Sequence, residues 1–411
     1  MKFFRSEIRC KRMRKMEDHD CWVQGFKGSA VASGLKKKGG VDLGLIFSEG
    51  DGVAAGVFTT GKVKAAPVLL CMDHLQDHRA KAILVNSGNA NACTGSKGLA
   101  DARRCSELVA TELKIPRKDV LVASTGVIGA PLDMDAVAGS IPALVKSLSA
   151  QSIHRVVDAM MTTDSFPKRS VFEGNAGGKP FRVLGIAKGA GMIMPQMATM
   201  LCFVLTDLRI GAGDLRKSLS SAVETTFNRI TVDGDTSTND TVLVLANGMA
   251  GNKEPSSSEL DLFQGALKSV MGDLSAMIVR DGEGATKLVR IVVRSAATAA
   301  DAERAARTVA NSSLVKTAFY GADANWGRVM AALGRAGVRM EEEKISILID
   351  DVAIVRNGLG VGTEAEGLAQ EKMKGREFSL VIELGQGNYE DFVLTCDLTH
   401  EYVSINANYR T

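Results

Sequence analysis

Residues 188–207 read Lys-Gly-Ala-Gly-Met-Ile-Met-Pro-Gln-Met-Ala-Thr-Met-Leu-Cys-Phe-Val-Leu-Thr-Asp. A glycine-rich loop leads through Ala198-Thr199 into a run so apolar that it reads as a buried strand. A fold built around this chain must bury that strand and still present the residue at its mouth. Two readings of Thr199 follow. In the first, Thr199 makes a local hydrogen bond at a strand start, a common role for a hydroxyl, and spacing alone favours this. In the second, the chain cuts itself between Ala198 and Thr199. The freed amine of Thr199 then lies beside its own hydroxyl and activates it as a nucleophile.

The rest of the chain restricts the chemistry by exclusion. There are five histidines, with no His-Glu-x-x-His and no Cys/His cluster, so no metal site is expected. No Gly-x-Ser-x-Gly elbow occurs, which disfavours a hydrolase serine. Asp233-Gly-Asp-Thr-Ser-Thr-Asn-Asp240 looks like a calcium loop but carries Thr238 at the turn-glycine position and Val244 at the bidentate-glutamate position. Gly358-Leu-Gly-Val-Gly362 lacks dinucleotide-loop spacing, and no phosphate-binding Gly-x-x-x-x-Gly-Lys-Ser/Thr exists. Seven scattered cysteines without a Cys-x-x-Cys pair suit reduced thiols in a cytoplasm. A net charge of +3 over 411 residues, without a long apolar run, predicts neither nucleic acid nor membrane as a partner. That length suits two or three domain-sized units.

Hydrophobic spacing locates the elements. Residues 41–71 read as a meander of strands between glycine turns, Lys81–Val85 and Val120–Ala123 as buried strands. Helical spacing covers Leu99–Leu113, Met134–Leu148 and Ile153–Met161. Asp133 or Asp135 is a candidate cap for the second of these helices. Asp214 is a candidate cap for a helix whose face carries Leu215, Leu219, Ala222, Val223 and Phe227. A polar loop over 253–262 opens a further helix, and Glu303–Val309 is helical. Ile345–Val355, Ser379–Leu384 and Phe392–Asp397 read as strands. Helices and strands interleave without a βαβ rhythm, which predicts an α+β fold with mixed sheets.

Several segments in order carry a resemblance. They are Val23-Gln-Gly-Phe26, Ala30-Val-Ala-Ser-Gly-Leu35, Asn86-Ser-Gly-Asn-Ala-Asn-Ala-Cys-Thr-Gly95 and Ser124-Thr-Gly-Val-Ile-Gly129. Met161-Thr-Thr-Asp-Ser-Phe-Pro-Lys168, Thr231–Asp240, Arg280–Lys287, Gly321–Arg328 and Asp397–Thr411 continue the series. With the segment at 188–207 they resemble the self-processing ornithine acetyltransferase family (glutamate N-acetyltransferase, ArgJ type). Gln196, where Asn is common, and Gly61, in place of Asn, are mild departures. Residues 1–20 lie outside the pattern and are expected to form a disordered extension.

The resemblance implies a layered αββα-type sandwich and self-cleavage into chains 21–198, with the extension, and 199–411. It implies acetyl transfer from N2-acetylornithine to glutamate through acetyl-Thr199. Thr125 and Gly126 would form the oxyanion hole. Without the resemblance they read as a plain strand-to-helix turn. Thr162, Lys188, Thr199, Glu283, Asn406 and Thr411 would bind substrate, with Lys188 on the α-carboxylate and Glu283 on the side-chain ammonium. No cofactor is implied, and whether acetyl-CoA also donates is open. An α2β2 assembly is implied. A hydrolase on the same scaffold, or a non-catalytic amino-acid-binding protein, would be the alternatives.

Overall fold

The computed structural model describes residues 16–37, 39–194 and 200–408. Up to residue 194 the chain supplies β1 (Phe26–Val31), β2 (Leu43–Ser48), β3 (Val53–Phe58), β4 (Ala82–Asn86), β5 (Val120–Ser124), β6 (Lys168–Ala176) and β7 (Lys179–Lys188). Its helices are α1 (Ala66–His74), α2 (Gly95–Leu113), α3 (Met134–Lys146) and α4 (Ile153–Met160). From residue 200 follow β8 (Leu201–Thr206), β9 (Thr241–Ala246), β10 (Leu288–Ala296), β11 (Ser346–Ile349), β12 (Val352–Arg356), β13 (Leu359–Gly360), β14 (Glu377–Glu383) and β15 (Tyr389–Cys396). The later helices are α5 (Ala212–Thr225), α6 (Ser257–Arg280), α7 (Ala299–Ala310), α8 (Ser313–Tyr320), α9 (Trp326–Gly334), α10 (Thr363–Met373) and α11 (His400–Asn408).

The fold is α+β, and all three sheets mix parallel and antiparallel pairs. The first runs β1-β2-β4-β5, the second β3-β9-β8-β7-β6, the third β13-β12-β11-β14-β10-β15. The apolar run after Thr199 becomes β8, antiparallel to β7 on one side and parallel to β9 on the other. All six of its residues are buried.

Strand alternation divides β8 between two cores. Leu201, Phe203 and Leu205 face the first sheet together with Leu184, Ile186, Leu243 and Leu245. Cys202 and Val204 face α5 and α6 on the other side. Gly185 lets α6 approach closely, because a Cβ there would lie 2.5 Å from Val270 Cγ1. Helices α2 and α3 cover the outer face of the first sheet, while α4 lies against β1, β2 and β4 and reaches β7. The result is helix, sheet, sheet and helix layers with α4 between the sheets. The third sheet carries a separate core with α7, α9 and α10. It joins the sandwich where the Thr231 N–H donates to the Leu394 carbonyl and Arg229 pairs with Asp391 at 2.9 Å.

Three local expectations are corrected. Strands β2 and β3 do not form a meander but belong to different sheets, and residues 66–71 are helical, not extended. Pro67 sits in the first turn of α1, where its missing N–H leaves no gap. Ile345–Val355 is a hairpin, β11 and β12, turned by Asp350 at φ 51°. Asp214 lies inside the first turn of α5, whose cap is Gly211. A carboxylate there still favours the helix dipole. Asp133 does cap α3, accepting from the Ala136 N–H. Of the N-terminal extension, residues 1–15 lie outside the described residues. Asp18–Asp20 form a short turn, and Asp18 pairs with Arg169 at 2.6 Å.

Helix α1 has a specific task. β5 is an edge strand, and an uncovered edge invites pairing with another chain. Cys71 Sγ accepts from the Val122 N–H and donates to the Val122 carbonyl, and His74 Nδ1–H donates to the Val120 carbonyl at 2.8 Å. His74 is 1% exposed, and its Nε2 has no hydrogen-bond partner among the described residues. Burial pushes the imidazole below its usual pKa, so the folded chain holds it neutral. The unfolded chain takes up that proton more readily. The stability His74 contributes is therefore complete above about pH 6.5 and is lost as pH falls below it. The urea midpoint should drop between about pH 7.5 and 5.5, and His74→Asn should reduce that drop. An unchanged pH dependence in the variant would contradict the neutral edge-capping role.

Candidate functional site

The site forms where β5, β7 and β8 end. Lys188 is the last residue of β7 and pairs in register with Leu201 of β8. That register puts its side chain on the inner face of the second sheet, in line with Ile186 and Phe203. It is 5% exposed, and its Nζ donates to Thr125 Oγ1 at 3.3 Å. Thr125 follows β5 directly, its N–H donating to the Asn86 carbonyl. The loop after β4 is built from its own amides. Asn86 Oδ1 accepts from Ser124 Oγ at 2.6 Å, Asn89 Oδ1 from the Asn91 N–H, and Asn89 Nδ2 donates to the Ala130 and Pro131 carbonyls. From across the site Asn239 Nδ2 donates to both the Ala90 and Ser124 carbonyls.

Gly126 is required by this packing. Its φ is +130°, and a Cβ would lie 2.4 Å from the Gly88 carbonyl carbon. Its N–H makes no hydrogen bond to any described residue.

The glycine loop after Lys188 is fixed from several directions. The Gly189 N–H donates to Asp164 Oδ1 at 2.6 Å, and the Ala190 carbonyl accepts from the Glu283 N–H. The Met192 and Ile193 N–H groups both donate to Asp233. Burial pushes that carboxyl above its usual range, although the three backbone N–H groups from Met192, Ile193 and Asp235 oppose the shift. Beyond the gap, the Met200 N–H donates to Asp240 Oδ1 at 3.1 Å. Ala198 and Thr199 lie between these anchors and outside the described residues, as does Thr411 at the chain end.

The remaining candidates come from three distant segments. Glu283 follows α6, and Gly191 lacks a side chain because a Cβ there would meet the Glu283 carboxylate at 2.4 Å. Asn406, on α11, donates to Glu283 Oε2 at 2.8 Å, and Thr399 Oγ1 donates to the Gly284 carbonyl. Thr162 joins through its N–H, which donates to Asp164 Oδ2 at 3.0 Å. Thr125, Gly126, Thr162, Lys188, Glu283 and Asn406 are thus linked into one neighbourhood around Lys188 and the loop after it, although they span 282 positions of sequence from Thr125 to Asn406 inclusive. Burial pushes the Lys188 ammonium below its usual pKa, with the carboxylates of Asp164, Glu283 and Asp240 opposing that shift.

Sequence reasoning missed Asp164, Lys168 and Asp281. Lys168 is fully buried, with Nζ 2.7 Å from Asp164 Oδ1 and 2.5 Å from Asp281 Oδ2. The available signal was local. Asp164 and Lys168 lie in a segment with a proline between them, too irregular for a helix-surface ion pair.

The ArgJ family model matches residues 27–411. An arginine biosynthesis bifunctional protein ArgJ from Desulfotalea psychrophila is 51% identical over 391 residues, 95% of this chain and 100% of that protein. One of the same name from Geobacter sulfurreducens is 48% identical over 392 residues, 95% and 100% respectively. The chain belongs to the ArgJ family. It is accordingly an acetyltransferase of arginine biosynthesis. A crystal structure of ornithine acetyltransferase complexed with ornithine from Mycobacterium tuberculosis is 38% identical over 42% of this chain and 92% of that one, with a TM-score of 0.38.

A Gly126→Ala change puts a methyl group into the Gly88 backbone at a φ that L-residues avoid. The expected loss of folding stability is about 1–3 kcal/mol by urea unfolding, with acetyl transfer falling further than stability does. Equal activity per folded molecule would show that the close approach of Gly88 and Gly126 has no part in the site.

Proposed function

We propose that this acetyltransferase cleaves its own chain between Ala198 and Thr199 and then carries acetyl on Thr199 from N2-acetylornithine to glutamate. The observation that carries the reading is the charge arrangement. One neighbourhood holds a buried cation, Lys188, and an anion, Glu283, with a threonine hydroxyl and a backbone N–H that has no partner among the described residues. An amino acid with a second amine bears the matching pair, an α-carboxylate and a side-chain ammonium.

In maturation, Thr199 Oγ attacks the Ala198 carbonyl, the peptide becomes an ester, and water releases the two chains. A cut there would not separate the halves. The second sheet alternates strands from both sides of it, with β3, β7 and β6 before and β9 and β8 after. In catalysis Lys188 holds the α-carboxylate, Glu283 with Asn406 holds the ornithine ammonium, and Thr162 and Thr411 complete the contacts. Thr199, activated by its own amine, attacks the acetyl carbonyl. The Thr125 hydroxyl and Gly126 N–H receive the oxyanion, a good donor contributing about 3–4 kcal/mol. Ornithine leaves, glutamate enters, its amine attacks acetyl-Thr199, and N-acetylglutamate departs. The reading includes an α2β2 assembly in a cytoplasmic setting, no bound cofactor, and acetyl-CoA as a second donor to be assayed.

Intact mass under denaturing conditions should give two species that divide at Ala198/Thr199. Thr199→Ala should give one uncut chain without transferase activity. Parallel initial-rate lines and an acetylated C-terminal fragment are expected for the wild type. Acetylornithine consumption that does not depend on glutamate would instead indicate a hydrolase, and an uncut active chain would overturn the role of Thr199.

A further inference from the structure

Three charged groups lie beside the loop that follows Lys188 and touch none of the positions assigned to substrate except through backbone. Lys168 and Asp164 are 0% exposed at their side chains and Asp281 is 3% exposed. Removing ions from water costs several kcal/mol each, and well-packed apolar residues in their place are often no less stable. Stability alone therefore does not account for this cluster.

Its connections point toward the site. Asp164 Oδ1 accepts at once from Lys168 Nζ and from the Gly189 N–H, and Oδ2 accepts from the Thr162 N–H. One carboxylate thus fixes the peptide that follows Lys188 and the backbone of Thr162. Asp281 holds Lys168 from the end of α6, and the Ser165 N–H and hydroxyl both donate to it. Burial alone would push the Asp164 carboxyl up. The charges of Lys188 and Lys168, with hydrogen bonds from Lys168 and the Thr162 N–H, overcome it and hold the group below the usual carboxylate range.

We propose that Asp164 is a positioning residue of the acetyl-transfer site: anchored by the buried Lys168–Asp281 pair, its carboxylate fixes the peptide after Lys188 and the backbone of Thr162, and so aims Lys188 at the substrate carboxylate. This rests on the functional reading above, in which Lys188 binds that carboxylate. Lys188 is faced by Asp164 from the segment before β6, Lys168 from β6, Glu283 after α6 and Asp240 before β9. Lys36, from the loop after β1, faces the same region. Among these, Asp164 is the anion that does most to offset the burial of the ammonium. An asparagine could not replace it, because its oxygen could keep the two donors now on Oδ1 while its NH2 would face the third, the Thr162 N–H, and the negative charge would be lost.

The test is the pH profile of kcat/KM for N2-acetylornithine, at fixed glutamate, for the full-length enzyme and its variants. Binding requires Lys188 charged, so kcat/KM falls on the alkaline side as the ammonium deprotonates. Removing a neighbouring anion lowers that pKa and moves the limb to lower pH. Asp164→Asn should shift it down by about 1 unit or more and raise KM by about 10-fold, more than it lowers kcat. Asp281→Asn perturbs the same buried pair but leaves the carboxylate of Asp164. Its limb should shift by less than about half as much. An unmoved limb in Asp164→Asn, or equal shifts in both variants, would overturn the proposal in favour of a structural role. Should Asp164→Asn fail to accumulate folded, Asp164→Glu decides. It keeps the charge, so the limb should stay while KM rises, and a displaced limb would sink the idea. A wild type that neither transfers acetyl nor binds ornithine by calorimetry would instead refute the underlying functional reading.

Discussion

Pairing of β8 on both of its edges is the constraint on which the rest of the structure depends. A six-residue strand with both edges bonded and both faces buried cannot slide, because a one-residue shift would exchange its two cores. Its register fixes Lys188 opposite Leu201, and therefore fixes where the glycine loop begins. It fixes the other end as well, since the Thr241 N–H donates to the Met200 carbonyl and Asp240 takes the Met200 N–H. The chain between Met194 and Met200 joins two immobile points. Glycine at 191 leaves room for the Glu283 carboxylate, and the Gly189 N–H ties the same loop to Asp164.

Buried charge is used in two different ways in this molecule. Lys316, in the third core, is 4% exposed and donates to Thr395 Oγ1 and the Cys396 carbonyl, which stitches α8 to β15. Those acceptors are neutral, and the group ends in backbone. The cluster of Lys168, Asp164 and Asp281 differs because its members alternate in sign and its outermost contact is the site. A carboxylate in such a place sets the field felt by its neighbours, which a neutral acceptor does far less. The first arrangement holds elements together, whereas the second also fixes the backbone of the loop that follows Lys188.

Much of this was legible in the sequence, and the remainder was hidden for physical reasons. α2, α3 and α4 carry apolar spacing that matches the face they bury, and β5 and β8 show as short continuous apolar runs, so hydrophobic pattern reveals them. Helix α1 was hidden because Val68–Met72 is apolar enough for either period, and its conformation is decided by the edge of β5 that it covers. The β11–β12 hairpin was hidden because its turn is two aspartates rather than a glycine. At the site, Thr125-Gly126 reads locally as a turn, and only resemblance gives it a role. Asp164, Lys168 and Asp281 were passed over because charged residues are exposed by default, and the proline between the first two was the one local signal. Nothing local shows that Asp281 lies 113 residues from its partner Lys168 in sequence and 2.5 Å away in space.

The return of the chain end makes binding and loop alignment a single mechanical unit. Asn406 of α11 donates to Glu283, and Thr399, just before the helix, donates to the Gly284 carbonyl. Burial, with the carboxylates of Asp233, Glu283 and Asp235 facing it, pushes the Tyr402 phenol above its usual range, so a neutral hydroxyl sits beside Asp233. Asp233 in turn holds the Met192 and Ile193 amides. The Glu283 carboxylate is therefore already braced by α11, and the same helix lies against Asp233, which holds the loop after Lys188. Loosening α11 would disturb both ends of that relation together.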